Sequence, residues 1–390
     1  MRALARLAVQ AAGLVLIAGL YLLRPFIKLK IGWLRYDRIG NLAVNTELFL
    51  RQRALRDDGV RRVFLTGPPC NRQLLTMIRR RLTVVESTAL AKAYEICRAI
   101  LDATPFHESL ALPFTEFDLF EREPCLSFTE EEEARGRAAL QAMGIGPSDW
   151  FVCLHNRDSA YLDASQPGGK WGYHDYRDCS LANFLPAADF IAEKGGFVLR
   201  MGQTVKEPLP GARARLIDYA SLHRSDFLDV YLLAKCRFMV GSDAGLAQVP
   251  VIFNRPVVNT NVPFIDWASF RSEDIFIHKR LFSEAEGRAL SYTEILARGW
   301  QRFYRTEWLD ERRLRLIENT AEEILDATRE MHERLDGRLT YTAQDEDLQA
   351  RYRALIGPGR VFHGFRSRLG RDFLYKNKDL ILPTDQAVTR

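Results

Sequence analysis

The sequence predicts an α/β protein built from two successive doubly wound domains. From about residue 30 to about residue 290, short β-rich runs alternate with helical patterns, and helices between strands imply parallel sheets. The alternation is interrupted once, by an irregular stretch with three prolines between Thr104 and Pro124. A length of 390 residues agrees with two domains, since one domain usually takes ~100–200 residues.

The first set of elements contains three strands, each followed by a helix. The expected strands are Ile31–Tyr36, Arg62–Leu65 and Leu82–Glu86, and the expected helices are one that ends near Arg56, then Asn71–Arg80 and Ala89–Ile100. A further helix starts at Thr129, which forms a capping-box pattern with Glu132 three residues later. Gly144 and Gly146 end that helix.

The second set starts at about residue 150 and has five strands. They are Trp150–Leu154, Phe197–Met201, Arg215–Ile217, Arg237–Val240 and Val257–Thr260, with helices over Ser180–Lys194 and Ser225–Lys235 and a turn into a helix at Gly241–Gln248. In such sheets ligands bind at the carboxyl ends of the strands, so the two halves are expected to form a cleft.

After Ser291 helical patterns dominate, over Thr293–Phe303 and Leu309–Leu335, and the last fifty residues are basic and turn-rich. The predicted organisation is an anchor at 1–26, a first domain at 27–146, a second domain at 147–300, helices at 301–340 and a basic tail at 341–390.

The amino-terminal residues predict a membrane anchor. Leu7–Leu23 is apolar except for Gln10, and its 17 residues make a helix of ~26 Å that Arg6 and Arg24 flank. A cleaved signal peptide is the alternative, but no small-x-small cleavage site follows. The basic flank after the run is the richer one, which predicts a single pass through the inner membrane with the body in the cytoplasm.

The charge is concentrated at the two ends of the chain. Residues 1–38 and 351–390 each carry +6, and since the whole chain carries +5, the residues between them carry −7. An acidic body disfavours nucleic-acid binding, which requires a basic surface. Both basic ends are expected to lie against anionic membrane lipids.

Neither a metal site nor a cofactor is expected. The six cysteines form no C-x-x-C pair and are interpreted as reduced thiols, and the seven histidines are scattered without an H-E-x-x-H pattern. The single D-x-D, Asp345–Asp347, lies in a polar stretch and is interpreted as a helix start.

Arginines at strand ends are the first candidates for binding a phosphate-bearing ligand. The strand before His155 leads into Arg157 and Asp158, and a guanidinium at the carboxyl end of a parallel strand suits bidentate capture of phosphate. A structural ion pair of Arg157 is the alternative. The next strand presents Arg200 and Gly202 in the same way, and Asp218 and Tyr219 after the third strand are candidates for contacting a base or ribose.

The strongest local feature is the run Gly241-Ser242-Asp243-Ala244-Gly245. A strand leads directly into this turn, and the turn opens a helix, so unpaired amides and the positive helix end predict an anion site. The alternative is a tight turn with a good N-cap. The spacing fits neither the Walker A pattern nor G-x-G-x-x-G, which disfavours ATP hydrolysis and NAD chemistry.

In the first half, Arg38, Gly40 and Asn41 follow the first strand and are the predicted acceptor-side residues. Asp37 and Glu47 are candidate bases there. A carboxylate beside Arg35 or Arg38 also fits a simple ion pair.

Taken together, these segments resemble a family of bacterial glycosyltransferases over roughly residues 30–290. The matching segments are Arg35–Leu42, His155–Asp158, Tyr176–Asp178, Arg200–Gly202, Ile217–Tyr219, Ser225–Phe227 and Gly241–Gly245. The H-x-R element also resembles that of GDP-fucose-dependent fucosyltransferases, although the second basic position of their motif is missing.

The resemblance implies the GT-B fold, with the acceptor in the first Rossmann-like domain and a nucleotide sugar in the second. It also implies that Arg157 binds the diphosphate of the donor. Such a metal-free site neutralises the leaving diphosphate with arginines and a helix end, and a base deprotonates the acceptor. His155, Asp158, Asp37 and Glu47 are the candidate bases. The expected acceptor is an envelope polysaccharide or glycolipid. Pyruvyl transfer and a non-catalytic envelope scaffold are the alternatives.

Overall fold

The computed structural model describes residues 2–55, 58–110, 116–158, 172–205, 209–211 and 213–382. The chain divides into two compact units. The first unit is Met1–Pro113 with Arg122–Glu133, and the second is Phe114–Glu121 with Ala134–Arg390. Residues 383–390 of the predicted tail, residues 111–115 of the predicted loop and Arg56 lie outside the described residues.

The first unit is built on a parallel sheet of four strands. Its strands are β1 Leu29–Trp33, β2 Arg61–Thr66, β3 Thr83–Glu86 and β4 His107–Glu108, in the spatial order β3-β2-β1-β4. Its helices are α1 Arg2–Leu23, α2 Ile39–Arg53, α3 Arg72–Arg79 and α4 Thr88–Asp102. The predicted alternation and parallel pairing are therefore confirmed here.

Local sequence explains where these helices begin. The Asn71 side chain accepts a hydrogen bond from the amide of Leu74 at 2.9 Å and so caps α3. The predicted capping box of α5, Glu130–Ala142, is present: the Thr129 amide donates to Glu132 at 2.9 Å, and the Glu132 amide donates to the Thr129 hydroxyl at 3.2 Å. These bonds satisfy amides that have no partner within the helix.

Helix α1 contains one segment, Leu4–Leu23, that is long and apolar enough to cross a membrane. In the structure a narrow stripe of α1 packs against α4, and the rest of its surface is exposed.

The second unit is built on a parallel sheet of seven strands. Six of them are β5 Phe151–His155, β6 Phe197–Arg200, β7 Leu216–Ile217, β8 Met239–Ser242, β9 Val257–Val262 and β10 Ile275–His278. The seventh, β14 Arg368–Leu369, comes near the end of the chain. The spatial order is β7-β6-β5-β8-β9-β10-β14. The first six strands therefore have the order 3-2-1-4-5-6, which is that of a doubly wound Rossmann sheet.

Helices cover this sheet, and a second, smaller sheet adjoins it. The helices and short helical turns are α6 Leu185–Glu193, α7 Tyr219–Leu222, α8 Asp226–Lys235, α9 Gln248–Ile252, α10 Tyr292–Ala297, α11 Thr306–Asp310, α12 Ala321–Leu335, α13 Ala343–Leu355, α14 Arg371–Lys376 and α15 Lys378–Ile381. The small sheet is antiparallel, with the order β12-β11-β13, and consists of β11 Arg280–Ser283, β12 Arg288–Ala289 and β13 Leu314–Ile317.

The predicted continuous helix Leu309–Leu335 is wrong. Arg313 has a φ of +52°, which ends the helical path, and Leu314–Ile317 then pairs with β11 instead. The long helix restarts at Thr320, which forms a capping box with Glu323. The T-x-x-E pattern at this position was the sequence signal for the restart.

The prediction that 341–390 is a tail is also wrong for residues 341–382, which fold as helices and a strand of the second unit. β14 extends the seven-stranded sheet, and Tyr352, Phe362 and Phe365 are buried core side chains. Several of its charges are paired within the unit, as in the Arg368–Glu346 contact of 2.8 Å. These aromatic rings are therefore part of the core of the unit and not of its surface. Asp345 completes a capping box with Thr342, so the D-x-D run is a helix start as predicted.

Candidate functional site

The candidate site lies at the point of the second sheet where the direction in which successive strands are added reverses. β5 and β8 are neighbours, with Cys153 opposite Met239 and His155 opposite Gly241, and the strands on their two sides are added in opposite directions. In a doubly wound sheet this switch point opens a crevice at the carboxyl ends of the strands. A Cβ on Gly241 would lie 3.4 Å from the His155 carbonyl oxygen and 2.9 Å from the Met239 methyl carbon, so glycine permits the close packing there.

Hydrogen bonds tie together the segments that follow these two strands. The backbone amide of Arg157 donates to the Ser242 hydroxyl at 2.8 Å, and the Cys179 amide donates to the Arg157 carbonyl at 3.0 Å. The Asn156 side chain donates to the Cys179 carbonyl at 3.3 Å. Ser242 is fully buried, so its hydroxyl holds the loop after β5 in place.

Three cationic side chains converge on this edge. Arg157 Nε lies 3.2 Å from Asp178 Oδ1, and Arg177 Nη2 lies 3.0 Å from Asp243 Oδ2 and donates to the Asp243 carbonyl at 2.8 Å. Lys279 follows β10 directly, and its Nζ donates to the carbonyl oxygens of Asp178 at 2.5 Å and Tyr176 at 3.1 Å. We call Arg157, Arg177 and Lys279 the cation cluster.

Burial and like charge make the cation cluster electrostatically strained. Burial lowers the pKa of Arg157, and the positive charge of Arg177 lowers it further. Burial also lowers the pKa of Lys279. A site that holds several desolvated cations close together favours an anionic ligand.

The two carboxyl groups of the cluster do not balance it fully. Burial raises the pKa of Asp178 to about 6, although Arg157 opposes this shift, so the Asp178 carboxyl takes up a proton just below neutral pH. Asp243 is buried at 8 % exposure and is held by Arg177. A phosphate that binds Arg157 would therefore compete with the Asp178 carboxylate, which is easily neutralised by a proton.

His155 lies at the same edge, at the end of β5. Burial lowers its pKa to about 4, so its imidazole is neutral at physiological pH. Its Nδ1 is buried without a hydrogen-bond partner among the described residues. Asp158, two residues beyond Asn156, is half-buried.

Two other predicted donor residues have structural roles. The Tyr219 side chain is fully buried, and its hydroxyl donates to Asp229 Oδ1 at 2.7 Å and accepts from the Ser225 amide at 3.1 Å. Arg200 is also fully buried and lies 3.6 Å from Asp218. Neither side chain is presented to a ligand, so we correct both predictions.

Gly202 and Gly245, two further residues predicted to bind the donor, have roles in the backbone conformation near the site. Gly202 has a φ of +157°, and a Cβ there would lie 2.9 Å from Val205 Cγ1. Gly245 begins a single 3₁₀ turn that is followed by α9, a helix of five residues. So short a helix aligns few peptide dipoles, so the side chains of the cation cluster are stronger candidates for binding an anion than this helix end.

In the first unit, the predicted residues follow β1. Asp37 and Arg38 are exposed, with Arg38 Nε 4.0 Å from Asp37 Oδ2. Gly40 is buried within the first turn of α2, and Asn41 is half-buried beside it.

Glu47 is not placed to act as a base. It is fully buried, its carboxylate lies 2.8 Å from Arg51 Nε, and it accepts the backbone amides of Cys125 at 2.6 Å and Leu126 at 3.1 Å. This carboxylate therefore fixes the chain segment at 125–126 to α2. The prediction of a catalytic role is corrected to a structural one.

Sequence reasoning did not single out Arg177 or Lys279 as binding residues. Arg177 follows the undescribed stretch 159–171, where the sequence has no clear periodicity. Lys279 could have been found, because it directly follows the largely apolar run Ile275–His278, and Arg157 likewise lies shortly after an apolar run, Phe151–Leu154. Among the described residues, no group of three or more His, Cys, Asp or Glu side chains could hold a metal ion.

No model of a known protein family matches the chain, and no curated protein matches it. Among solved structures it is similar to a family 9 glycosyl transferase from Veillonella parvula, at 12 % identity and a TM-score of 0.45, over 78 % of this chain and 97 % of that one. It is similar to the ADP-heptose lipopolysaccharide heptosyltransferase II of E. coli, at 13 % identity and a TM-score of 0.46, over 79 % and 100 %. It is also similar to an E. coli heptosyltransferase bound to ADP, at 9 % identity and a TM-score of 0.32, over 64 % and 91 %.

Proposed function

We propose that this protein is a glycosyltransferase that moves a sugar from a nucleotide-sugar donor to an envelope polysaccharide or glycolipid. It acts at the cytoplasmic face of the inner membrane, where its apolar N-terminal helix concentrates it beside a lipid-linked acceptor. The observation that carries the proposal is the cation cluster at the switch point of a doubly wound sheet, the place where such sheets bind nucleotides.

The donor diphosphate binds to the cation cluster. Arg157 and Arg177 offer planar donors that suit phosphate oxygens, and Lys279 adds a point charge. In the ligand-free protein these groups contact Asp178 and Asp243, so phosphate oxygens replace carboxylate oxygens when the donor binds. The exchange keeps the buried cations paired throughout, which avoids an isolated buried charge.

The same cations stabilise the transition state. An acceptor hydroxyl oxygen forms a bond to the anomeric carbon while the bond from that carbon to the diphosphate oxygen breaks, and the nucleoside diphosphate leaves with the bonding electrons. Negative charge grows on the leaving oxygen, which Arg157 and Arg177 would contact once they exchange their carboxylate partners for phosphate, so the cluster binds the transition state more strongly than the substrate.

The hydroxyl proton goes to a base, and the predicted candidates that keep this role are His155, Asp158 and Asp37. His155 is neutral at physiological pH, although the burial that keeps it neutral also weakens it as a base, and Asp37 is exposed on the loop that follows β1. We assign that loop, with Arg38, Gly40 and Asn41, to the acceptor.

The proposal is tested by a thermal-shift panel on the full chain in detergent, with ADP, GDP, UDP, dTDP, CMP and phosphoenolpyruvate, each without added metal. We expect one nucleotide to raise the melting temperature, since a ligand that binds only the folded state stabilises it. A shift with phosphoenolpyruvate alone would instead support pyruvyl transfer. A folded protein that shifts with none of them would contradict the glycosyltransferase and favour the scaffold.

A further inference from the structure

The exposed apolar surface of the molecule is concentrated on α1 and the turn after it. Of the fifteen large hydrophobic side chains that are exposed among the described residues, ten lie between Leu4 and Ile27. Val15 is 74 % exposed, Leu16 is 70 % exposed and Leu22 is 78 % exposed. An apolar surface of this extent marks a site that another apolar phase covers.

One stripe of the same helix is docked on the first unit. Ile17 is buried in a cluster with Tyr94, Cys97, Leu101 and Phe106, which lie on α4 and just beyond it. Because Ile17 belongs to this cluster, removal of α1 would expose the rings of Tyr94 and Phe106 to water.

The docked stripe also satisfies the polar group that interrupts the apolar run. The Gln10 side-chain amide donates to the Ile96 carbonyl at 3.4 Å, and the Cys97 thiol lies 3.6 Å from the Val9 carbonyl. At Gly13 the two helices approach so closely that a Cβ would lie 2.6 Å from Cys97 Sγ. The spacing of Gln10, Gly13, Ile17 and Leu20 places all four on one face of α1.

We propose that α1 remains docked on α4 and lies in the plane of the membrane, with its free face inserted into one leaflet of an anionic bilayer. Exposed Arg24, Lys28 and Arg35 follow the apolar face along the chain and would meet lipid phosphates. The protein is then held on the membrane by the surface of its first unit, without a crossing. This inference does not depend on the reaction proposed above.

A crossing helix is the competing arrangement, and it would break the contacts just described. It would leave Gln10 in hydrocarbon without the Ile96 carbonyl, and it would uncover the cluster around Ile17. The docked arrangement keeps both and still buries the exposed face in lipid.

A disulfide tests the docking directly, because the Gly13 position matches disulfide geometry with a cysteine that is already present. A Cβ at position 13 would lie 3.6 Å from the Cys97 Cβ, within the range of ~3.5–4.5 Å that disulfides require. We expect Gly13→Cys in the full chain, bound to vesicles of phosphatidylglycerol and phosphatidylcholine and treated with a mild oxidant, to cross-link to Cys97. The cross-linked protein should stay on the vesicles.

Two controls accompany this measurement. Gly19→Cys lies on the same helix, but its Cβ would meet nothing within 4 Å, so it should not cross-link. Gly13→Cys combined with Cys97→Ser should not cross-link either. A vesicle-bound Gly13→Cys protein that cross-links no more than Gly19→Cys would overturn the proposal, as would a cross-linked protein that leaves the vesicles.

If Gly13→Cys disturbs packing, a second pair of variants tests whether the exposed face of α1 contacts lipid. Leu16→Glu should weaken flotation with the anionic vesicles at least tenfold, and since Leu16 is exposed, it should leave the melting temperature unchanged. Leu222→Glu, at a side chain equally exposed on the second unit, should leave flotation unchanged. Equal flotation of both variants would show that α1 does not contact lipid.

Discussion

Asp178 is the residue whose protonation should control donor binding. Its carboxyl contacts Arg157, and burial raises its pKa to about 6, while Asp175 adds to the shift and Lys279 opposes it. Above that pKa the carboxylate competes with a diphosphate for Arg157. Below it the carboxyl is neutral, and the guanidinium is free to bind phosphate.

We therefore predict that the affinity for the preferred nucleotide sugar rises as the pH falls from about 8 to about 6. If only the protonated form binds, the dissociation constant changes by up to about 50-fold over this range. Titration calorimetry at the two pH values measures the change. A nucleotide sugar is the suitable ligand, because its diphosphate is a diester and does not titrate near pH 6. Asp178→Asn should bind equally well at both pH values, and a pH dependence that persists in it would contradict this role.

Residue patterns in the sequence predicted part of the candidate site. Arg157, Ser242 and Asp243 could be predicted because each follows a buried apolar run, and the carboxyl ends of parallel strands share one edge. Whether a polar group at that edge contacts ligand or protein depends on tertiary packing. Tyr219 and Glu47 have the right residue types, but their partners, Asp229 and Arg51, could not be paired with them from spacing alone.

At the scale of elements, a pair of buried asparagines joins the large sheet to the segment before α12. Asn261, at the end of β9, has a φ of +55°, and its amide donates to the Asn319 side-chain oxygen at 2.6 Å. The Asn319 amide donates back to Asn261 at 2.9 Å, and the Asn319 side chain donates to the His278 carbonyl at 2.8 Å. Three hydrogen bonds thus hold β9, β10 and the start of α12 together.

We predict that Asn319→Ala lowers the free energy of unfolding by about 2–4 kcal/mol, since it leaves buried polar groups of Asn261 and His278 without partners. Urea denaturation followed by tryptophan fluorescence measures the change. Glu311→Ala, at a side chain 71 % exposed in the same region, should change it by less than ~0.5 kcal/mol. Equal effects of the two substitutions would show that the asparagine pair does not stabilise this junction.

The elements that the sequence predicted correctly have a strong local signal. β5 is an apolar run, β8 and β9 each begin with two apolar residues (Met239-Val240 and Val257-Val258), and α3 has an Asn71 cap. β13 was missed because Leu314–Ile317 is short and is surrounded by Glu and Arg, so its alternation reads as part of a helix. Its strand character comes from pairing with β11, a partner about thirty residues away.

At the scale of the molecule, the basic residues at the two ends of the chain differ in how many of them are paired with carboxylates. Arg366, Arg368, Arg371 and Lys376 of the segment 351–382 pair with carboxylates of the second unit. Lys376, for example, lies 2.7 Å from Glu322 and 2.8 Å from Asp326. The basic residues after α1 include Arg24 and Lys28, which are exposed beside the apolar helix. Total charge could be counted from the sequence, but which charges stay free to meet lipid depended on the fold.

The central claim is that the cation cluster of the second unit binds the diphosphate of a nucleotide donor. Titration calorimetry of the full chain with the nucleotide that the panel identifies, repeated on Arg157→Ala and Arg177→Ala, tests it most directly. Each variant should bind about 10- to 100-fold more weakly, because each loses a charge-assisted contact worth ~1.5–3 kcal/mol. Arg255→Ala, whose guanidinium contacts the Ala234 carbonyl before the amino end of β9, should bind as the unchanged protein does. Unchanged affinity in folded Arg157→Ala and Arg177→Ala would place the nucleotide elsewhere and contradict the claim.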